Sequence, residues 1–159
     1  VEAVLPHLTT PIRSCVLLQW WTGMRPTAAL TMTGRQLQRS GKVWIYLPVQ
    51  HKGVWRGRDR VVQIGPKAQA VLLPLLKLDP DAALISPLDA FLEVRAAKRA
   101  RRKTPVQPSQ QARDERNAQK PPPVGQFYDV NSYRTAIHRA LAQTENYKFA
   151  EAYKIPGEP

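Results

Sequence analysis

The sequence predicts an α+β domain that is mostly helical and carries a small antiparallel sheet or hairpin. Two β-rich runs, residues 43–47 and 60–64, flank a polar connection that contains glycine, which is typical of a hairpin with a long loop. Apolar segments with helical patterns precede and follow this pair. The chain has 159 residues, 43% of them hydrophobic, so it can bury one core of ordinary size.

The first helix is predicted over residues 11–22. This run is apolar on nearly every side, which indicates a buried helix with Trp20 and Trp21 in the core. Pro11 suits its first turn and Gly23 ends it. Because Pro26 then begins a short second helix that runs to Met32, Arg25 lies at a helix junction. A cation there opposes the helix dipole unless an anion neutralises it.

Three more helices are predicted further along. One begins at Pro66 and runs through Leu76, and another covers residues 87–103 with Ser86 as its cap and a strongly basic end. The last has either Asp129 or Asn131 as its cap and carries one apolar stripe, Val130, Tyr133, Ile137 and Leu141.

The composition divides the chain into four parts. Residues 1–103 form the first part of the domain, and residues 127–143 hold its late helix. Between them, residues 104–126 are basic, polar and rich in proline, which indicates a linker or an insertion. Residues 144–159 form an irregular tail. The first residue is Val, which weakly favours a fragment of a longer protein.

The charge narrows the class of partner. A formal net charge of +12 favours a polyanion, since Lys and Arg displace counterions from phosphate backbones, although a merely solubilising surface is an equally good explanation of composition alone. Cys15 is the only cysteine, so no internal disulfide and no cysteine-based zinc site can form, and we expect a buried, inert thiol. No apolar run is long enough to span a membrane and no signal peptide opens the chain. We expect no metal, cofactor or membrane partner.

Several motifs together resemble the tyrosine recombinases, the phage-integrase type of site-specific recombinase. The resemblance covers about residues 1–142, and the late-helix segment is the longest match. A lone Thr-Gly-x-Arg would be weak, but its combination with a hairpin lysine and the late helix is more specific. The matching segments are Thr22-Gly23-Met24-Arg25-Pro26, His51-Lys52 between the two strands, residues 60–69 and residues 128–140.

The resemblance implies the N-terminal portion of a recombinase catalytic domain, with double-stranded DNA as the partner and the nucleoid of a bacterial cytoplasm as the location. It implies that Arg25 clamps two oxygens of the reacting phosphate, which a planar guanidinium can do and an ammonium cannot. It implies that Lys52 gives a proton to the departing 5′-oxygen. The other cations expected at the DNA are His51, Arg56, Arg58, Arg60, Arg99, Arg101, Arg102 and Lys103.

The chain departs from the family pattern in three ways. No His-x-x-Arg occurs in the 159 residues, and neither Tyr147 nor Tyr153 is assigned as the nucleophile without it. Many members carry Glu three residues after the clamp arginine, where this chain has Ala28. The DNA-binding domain that usually precedes the catalytic domain is also missing. We therefore expect a partial catalytic domain that is inactive in strand transfer by itself.

Two other functions stay open. The first alternative is a non-catalytic, basic nucleic-acid-binding module, in which Arg25 matters no more than other arginines. The second is a regulatory remnant that pairs with a full-length recombinase. Loss of the family's last helices would expose apolar surface, which predicts self-association.

Overall fold

The computed structural model describes residues 1–49, 60–118, 120 and 124–144. The described chain combines helices with a three-stranded antiparallel sheet, so the predicted α+β class is confirmed. None of the helices in these ranges is long and apolar enough to cross a membrane.

The sheet has the order β1-β2-β3, with β1 at Leu37–Gln38, β2 at Trp44–Tyr46 and β3 at Val62–Ile64. Strands β2 and β3 pair antiparallel, with Tyr46 opposite Val62, and this confirms the predicted hairpin. Strand β1 pairs with the other side of β2 and was not predicted. Its two residues are too few to show an alternating pattern.

Helix α1 covers Thr10–Thr22 and begins with Pro11 in its first turn, as predicted. It ends at Gly23, which has a φ of 65° and donates its backbone N–H to the Gln19 carbonyl at 2.9 Å. This left-handed conformation strains any residue with a Cβ, so glycine suits the position.

The prediction that Trp20 and Trp21 lie in the core is wrong. Trp20 is 63% exposed and Trp21 is 44% exposed. The buried stripe of α1 instead runs through Ile12, Cys15 and Leu18, three residues apart. Because α1 is apolar on nearly every side, its sequence does not show which face packs, and the neighbouring helices decide it.

Helix α2, Pro26–Leu30, starts at the predicted proline and buries Ala28, Ala29 and Leu30. Helix α3, Pro66–Leu72, also starts as predicted but continues as a 3-10 turn over Leu73–Leu75. Pro74 explains the change, since proline lacks the N–H that an α-helical turn requires.

Helix α4 covers Pro87–Ala100, and the Ser86 hydroxyl accepts a hydrogen bond from the Asp89 N–H at 3.3 Å. The predicted cap is confirmed. The helix ends earlier than the predicted residue 103, because Arg101 already forms its C-cap. Arg102 and Lys103 therefore follow the helix.

Helix α5, Pro108–Ala118, lies inside the segment that was predicted to be a linker or an insertion. Its described side chains are exposed except for Asp114, which is half-buried. The helix thus adds nothing to the core, and its polar sequence has no apolar stripe that could have predicted it. The predicted domain boundaries stay a prediction.

Helix α6 covers Val130–Leu141, and its N-cap is Asp129 rather than Asn131. The Asp129 carboxylate accepts hydrogen bonds from the backbone N–H groups of Asn131 at 2.9 Å and Ser132 at 3.3 Å. Three residues of the predicted apolar stripe, Val130, Tyr133 and Ile137, pack against the core, and the Gln19 amide of α1 donates to the buried Tyr133 hydroxyl at 2.5 Å. The core therefore lies between α1, α2, α3 and the sheet, with α6 closing one side.

We expect Asp129→Ala to lower the free energy of unfolding by about 1 kcal/mol, because two N–H groups at the start of α6 lose their acceptor. Denaturant titration measures this change. Asn131→Ala is the matched control, since its exposed side chain leaves the cap intact, and we expect it to stay within about 0.5 kcal/mol of the parent. Equal losses in the two variants would contradict the assignment of the cap.

Candidate nucleic-acid interface

Arg25 lies on a well-defined turn between α1 and α2. The Thr22 hydroxyl donates to the Leu18 carbonyl at 2.6 Å and accepts from the Met24 N–H at 3.3 Å, and the Met24 side chain is buried. These contacts fix the chain on both sides of Gly23. Arg25 then forms the N-cap of α2 with extended backbone angles, and its side chain is exposed.

Helix α2 is attached to the sheet by a buried hydrogen bond. The Tyr46 hydroxyl donates to the Ala28 carbonyl at 2.7 Å. Burial raises the pKa of Tyr46 to about 12, while its side-chain interaction with Thr31 and the charge of Arg60 act in the opposite direction. Tyr46 is therefore protonated at neutral pH and keeps donating to α2.

Arg60 lies two residues before β3 and is half-buried. Its positive charge opposes the rise in the pKa of Tyr46. Arg25 is the N-cap of helix α2, whose Ala28 carbonyl accepts the hydrogen bond of Tyr46, so the two predicted cations that the structure describes flank the elements that Tyr46 joins.

Four predicted residues, His51, Lys52, Arg56 and Arg58, lie outside the described residues. The shared pocket of Arg25 and Lys52 therefore stays a prediction. The described flanks limit where the loop can begin. Since Tyr46 pairs with Val62, the loop leaves the sheet next to the hydrogen bond with α2.

Ala28 occupies the position where many recombinases have Glu. It is 4% exposed, so its methyl group packs in the core, and only its backbone oxygen takes part in polar contacts. Within the described ranges, the Arg25 side chain has no hydrogen-bond or ion-pair partner. The turn therefore fixes the backbone of Arg25, and no carboxylate orients its guanidinium within the described part of the chain.

The four cations predicted at the end of α4 are all exposed: Arg99, Arg101, Arg102 and Lys103. The structure does not join them to Arg25 through any described contact. In the middle of α4, Glu93 accepts from the Thr10 N–H at 2.8 Å, at the amino end of α1, whereas Arg25 follows the carboxyl end of α1. The basic end of α4 is therefore a second, separate basic region.

Sequence analysis missed three cations next to these regions. The Lys67 amine lies 4.4 Å from the ring centre of Trp21, which precedes Arg25 by four residues. Nothing in the sequence indicated this contact, because Trp21 was expected in the core. On α4, Arg95 lies four residues before Arg99 and Lys98 lies four residues before Arg102, and that helical spacing was a usable signal.

The described part of the chain offers no other reactive site. Burial raises the pKa of the Cys15 thiol to about 12, so it is not a nucleophile at neutral pH, as predicted. No group of three or more His, Cys, Asp or Glu in the described ranges can hold a metal ion. What remains is exposed arginine on a fixed scaffold, which can grip phosphate oxygens.

Comparisons with protein-family models, with curated proteins and with solved structures find no match to this chain. The resemblance to tyrosine recombinases is therefore a resemblance of sequence motifs alone.

We expect Tyr46→Phe to lower the free energy of unfolding by about 1–2 kcal/mol at neutral pH, because the buried Ala28 carbonyl loses its donor. The parent should also lose stability as the pH rises from about 10 to about 12. Over that range native Tyr46 keeps its proton, whereas the unfolded chain releases it near pH 10. This contribution is fully present below pH 10 and disappears through pH 12.

Denaturant titrations at neutral and alkaline pH measure both effects. The pKa values of Cys15 and Tyr128 are also raised to about 12, so the variant should keep part of the alkaline loss but show a smaller one than the parent. An identical alkaline loss in both proteins would show that Tyr46 does not contribute.

Proposed function

We propose that this chain is part of a tyrosine-recombinase-like catalytic domain and that it grips one DNA phosphodiester through Arg25 and Lys52. The observation that supports the proposal most directly is the position of Arg25. It is exposed on a rigid turn, and its helix is hydrogen-bonded to the sheet from which the His51-Lys52 loop departs. A phosphate near the amino end of α2 would also neutralise a cation that the helix dipole opposes.

The proposed chemistry follows from the charge that develops on phosphorus. When a hydroxyl attacks a phosphodiester, the non-bridging oxygens gain negative charge. A guanidinium can hold two of them in one plane, and removal of such a donor commonly costs roughly 3–4 kcal/mol of transition-state stabilisation. Lys52 would protonate the departing 5′-oxygen, which avoids release of a strongly basic alkoxide.

The proposal assigns half of a catalytic site to these residues. The 159 residues contain no His-x-x-Arg, and catalytic groups that act as a unit lose most of their effect when some are missing. The chain would therefore bind DNA but require the remaining groups before it could cleave and rejoin a strand. The proposed partner is double-stranded DNA of a bacterial nucleoid, to which a net charge of +12 is suited.

A second candidate function is a basic nucleic-acid-binding module without catalysis. The exposed cations Arg99 and Arg102 at the basic end of α4 favour it, because they can hold DNA without any contribution from Arg25. The two functions differ in one requirement. A module needs charge at many positions, whereas a recombinase needs a guanidinium at position 25.

We expect a covalent protein–DNA adduct from a fusion of this chain to a recombinase segment that supplies His-x-x-Arg and the nucleophilic tyrosine. A nicked substrate traps the adduct, and a denaturing gel measures it. Arg25→Ala should lower the rate of adduct formation by a factor of about 10²–10³. Arg25→Lys should not restore this rate, since lysine lacks the planar fork of a guanidinium.

Arg39→Ala is the control, because Arg39 is an exposed arginine outside the proposed site. We expect it to form the adduct nearly as fast as the parent fusion. An adduct that forms equally well with Ala at position 25 would refute the recombinase assignment and leave the binding module.

A further inference from the structure

Three basic residues of α4, Arg95, Lys98 and Arg99, are followed by Arg102 in the turn after the helix. Their spacing, i, i+3, i+4 and i+7, brings side chains together in one stripe on a helix, and in the turn the Arg102 N–H still donates to the Arg99 carbonyl at 3.1 Å. The stripe is about 10 Å long at 1.5 Å per residue. Arg101 and Lys103, which the sequence grouped with Arg99 and Arg102, do not belong to it.

These four side chains line a groove, which we call the basic groove. It has a volume of about 460 Å³. One wall consists of Arg102 and four residues of α4, and Val106, Gln110 and Asp114 face it; the residues from α4 are Arg95, Ala96, Lys98 and Arg99. The second wall is thus helix α5 and the segment before it. A groove of this volume can admit the phosphates of one strand but not a whole duplex.

Neighbouring groups hold the cations at the two ends of the groove. The Arg102 guanidinium donates to the Thr104 hydroxyl at 3.3 Å and to the Pro105 carbonyl at 3.4 Å. Arg95 lies 5.6 Å from the ring centre of Phe91 and 4.0 Å from the Asp114 carboxylate. These contacts leave the remaining N–H groups of both guanidinium ions for a ligand.

The charges in the groove do not balance. Asp114 is the only carboxylate among the residues that line it, against four cations. Asp114 also accepts a hydrogen bond from the Gln110 amide at 3.1 Å, which holds it on the α5 wall. Like charges three and four residues apart repel one another on a helix, although the helix dipole favours cations near this end. A polyanion that bridges the four cations would remove that repulsion.

We propose that the basic groove binds the phosphate backbone of double-stranded DNA, as a second contact separate from Arg25. Along one strand of B-DNA a phosphate occurs about every 3.4 Å of helix axis, and consecutive phosphates lie further apart along the winding backbone itself, so a stripe of about 10 Å can contact about two of them. Such contacts hold the duplex without reading its sequence. This site does not depend on the proposed recombinase chemistry.

The proposal separates residues that differ little in sequence. Lys98 and Arg102 line the groove, whereas Arg101 and Lys103 do not, yet each pair carries two positive charges. Asp114 faces the cations, whereas the adjacent Glu115 does not line the groove. Two matched pairs of variants in the full chain therefore test it, with fluorescence anisotropy of a labelled DNA duplex as the measurement.

We expect Lys98→Gln with Arg102→Gln to weaken binding at least about tenfold and to reduce the slope of log K against log salt by up to about 1.8, or about 0.9 per lost phosphate contact. Arg101→Gln with Lys103→Gln should change binding by less than about threefold, although the net charge changes equally. Asp114→Asn should tighten binding more than Glu115→Gln does. Circular dichroism checks that each variant is folded.

Equal weakening by the two double variants would overturn the proposal, because it would mean that the charges act without a defined groove. Equal effects of Asp114→Asn and Glu115→Gln would overturn it as well. The same measurements in an Arg25→Gln background separate the two proposals, since the groove variants should keep their full effect there. Loss of that effect would show that the groove is not an independent site.

Discussion

The hydrogen bond between the Tyr46 hydroxyl and the Ala28 carbonyl is the contact on which the candidate site depends. Helix α2 has five residues, far fewer than an isolated helix needs to be stable in water. Its position must therefore come from burial of Ala28, Ala29 and Leu30 and from this bond to the sheet. Because an unpaired buried carbonyl costs about 1–3 kcal/mol, this bond favours the observed arrangement of the sheet and α2 over one that leaves the Ala28 carbonyl unpaired.

That arrangement also determines how Arg25 is positioned. Position 28 supplies a methyl group to the core and a carbonyl to Tyr46, so this part of α2 faces inward. A carboxylate at position 28 would have to leave the core to reach Arg25. The turn at Thr22 and Met24 takes the orienting role instead, through hydrogen bonds that need no charged partner.

Local signals in the sequence predicted the structure correctly where a single residue determines the backbone conformation. Pro11 and Gly23 predicted the ends of α1, Ser86 predicted the cap of α4, and the hairpin followed from its β-rich runs. Tertiary contacts decided the rest. The exposure of Trp20 depends on which face of α1 meets its neighbours, and the two residues of β1 are a strand only because β2 lies beside them.

The same division applies to function. The junction at Arg25 could be predicted because Gly23 and Pro26 define it locally, whereas the wall that α5 places opposite the α4 cations could not. The two basic regions also differ in what they require. Cations that follow a phosphate backbone act through their charge, so lysine and arginine serve nearly alike. A clamp on one phosphate requires the planar fork of arginine, so the response to a charge-conserving substitution at position 25 distinguishes catalysis from binding.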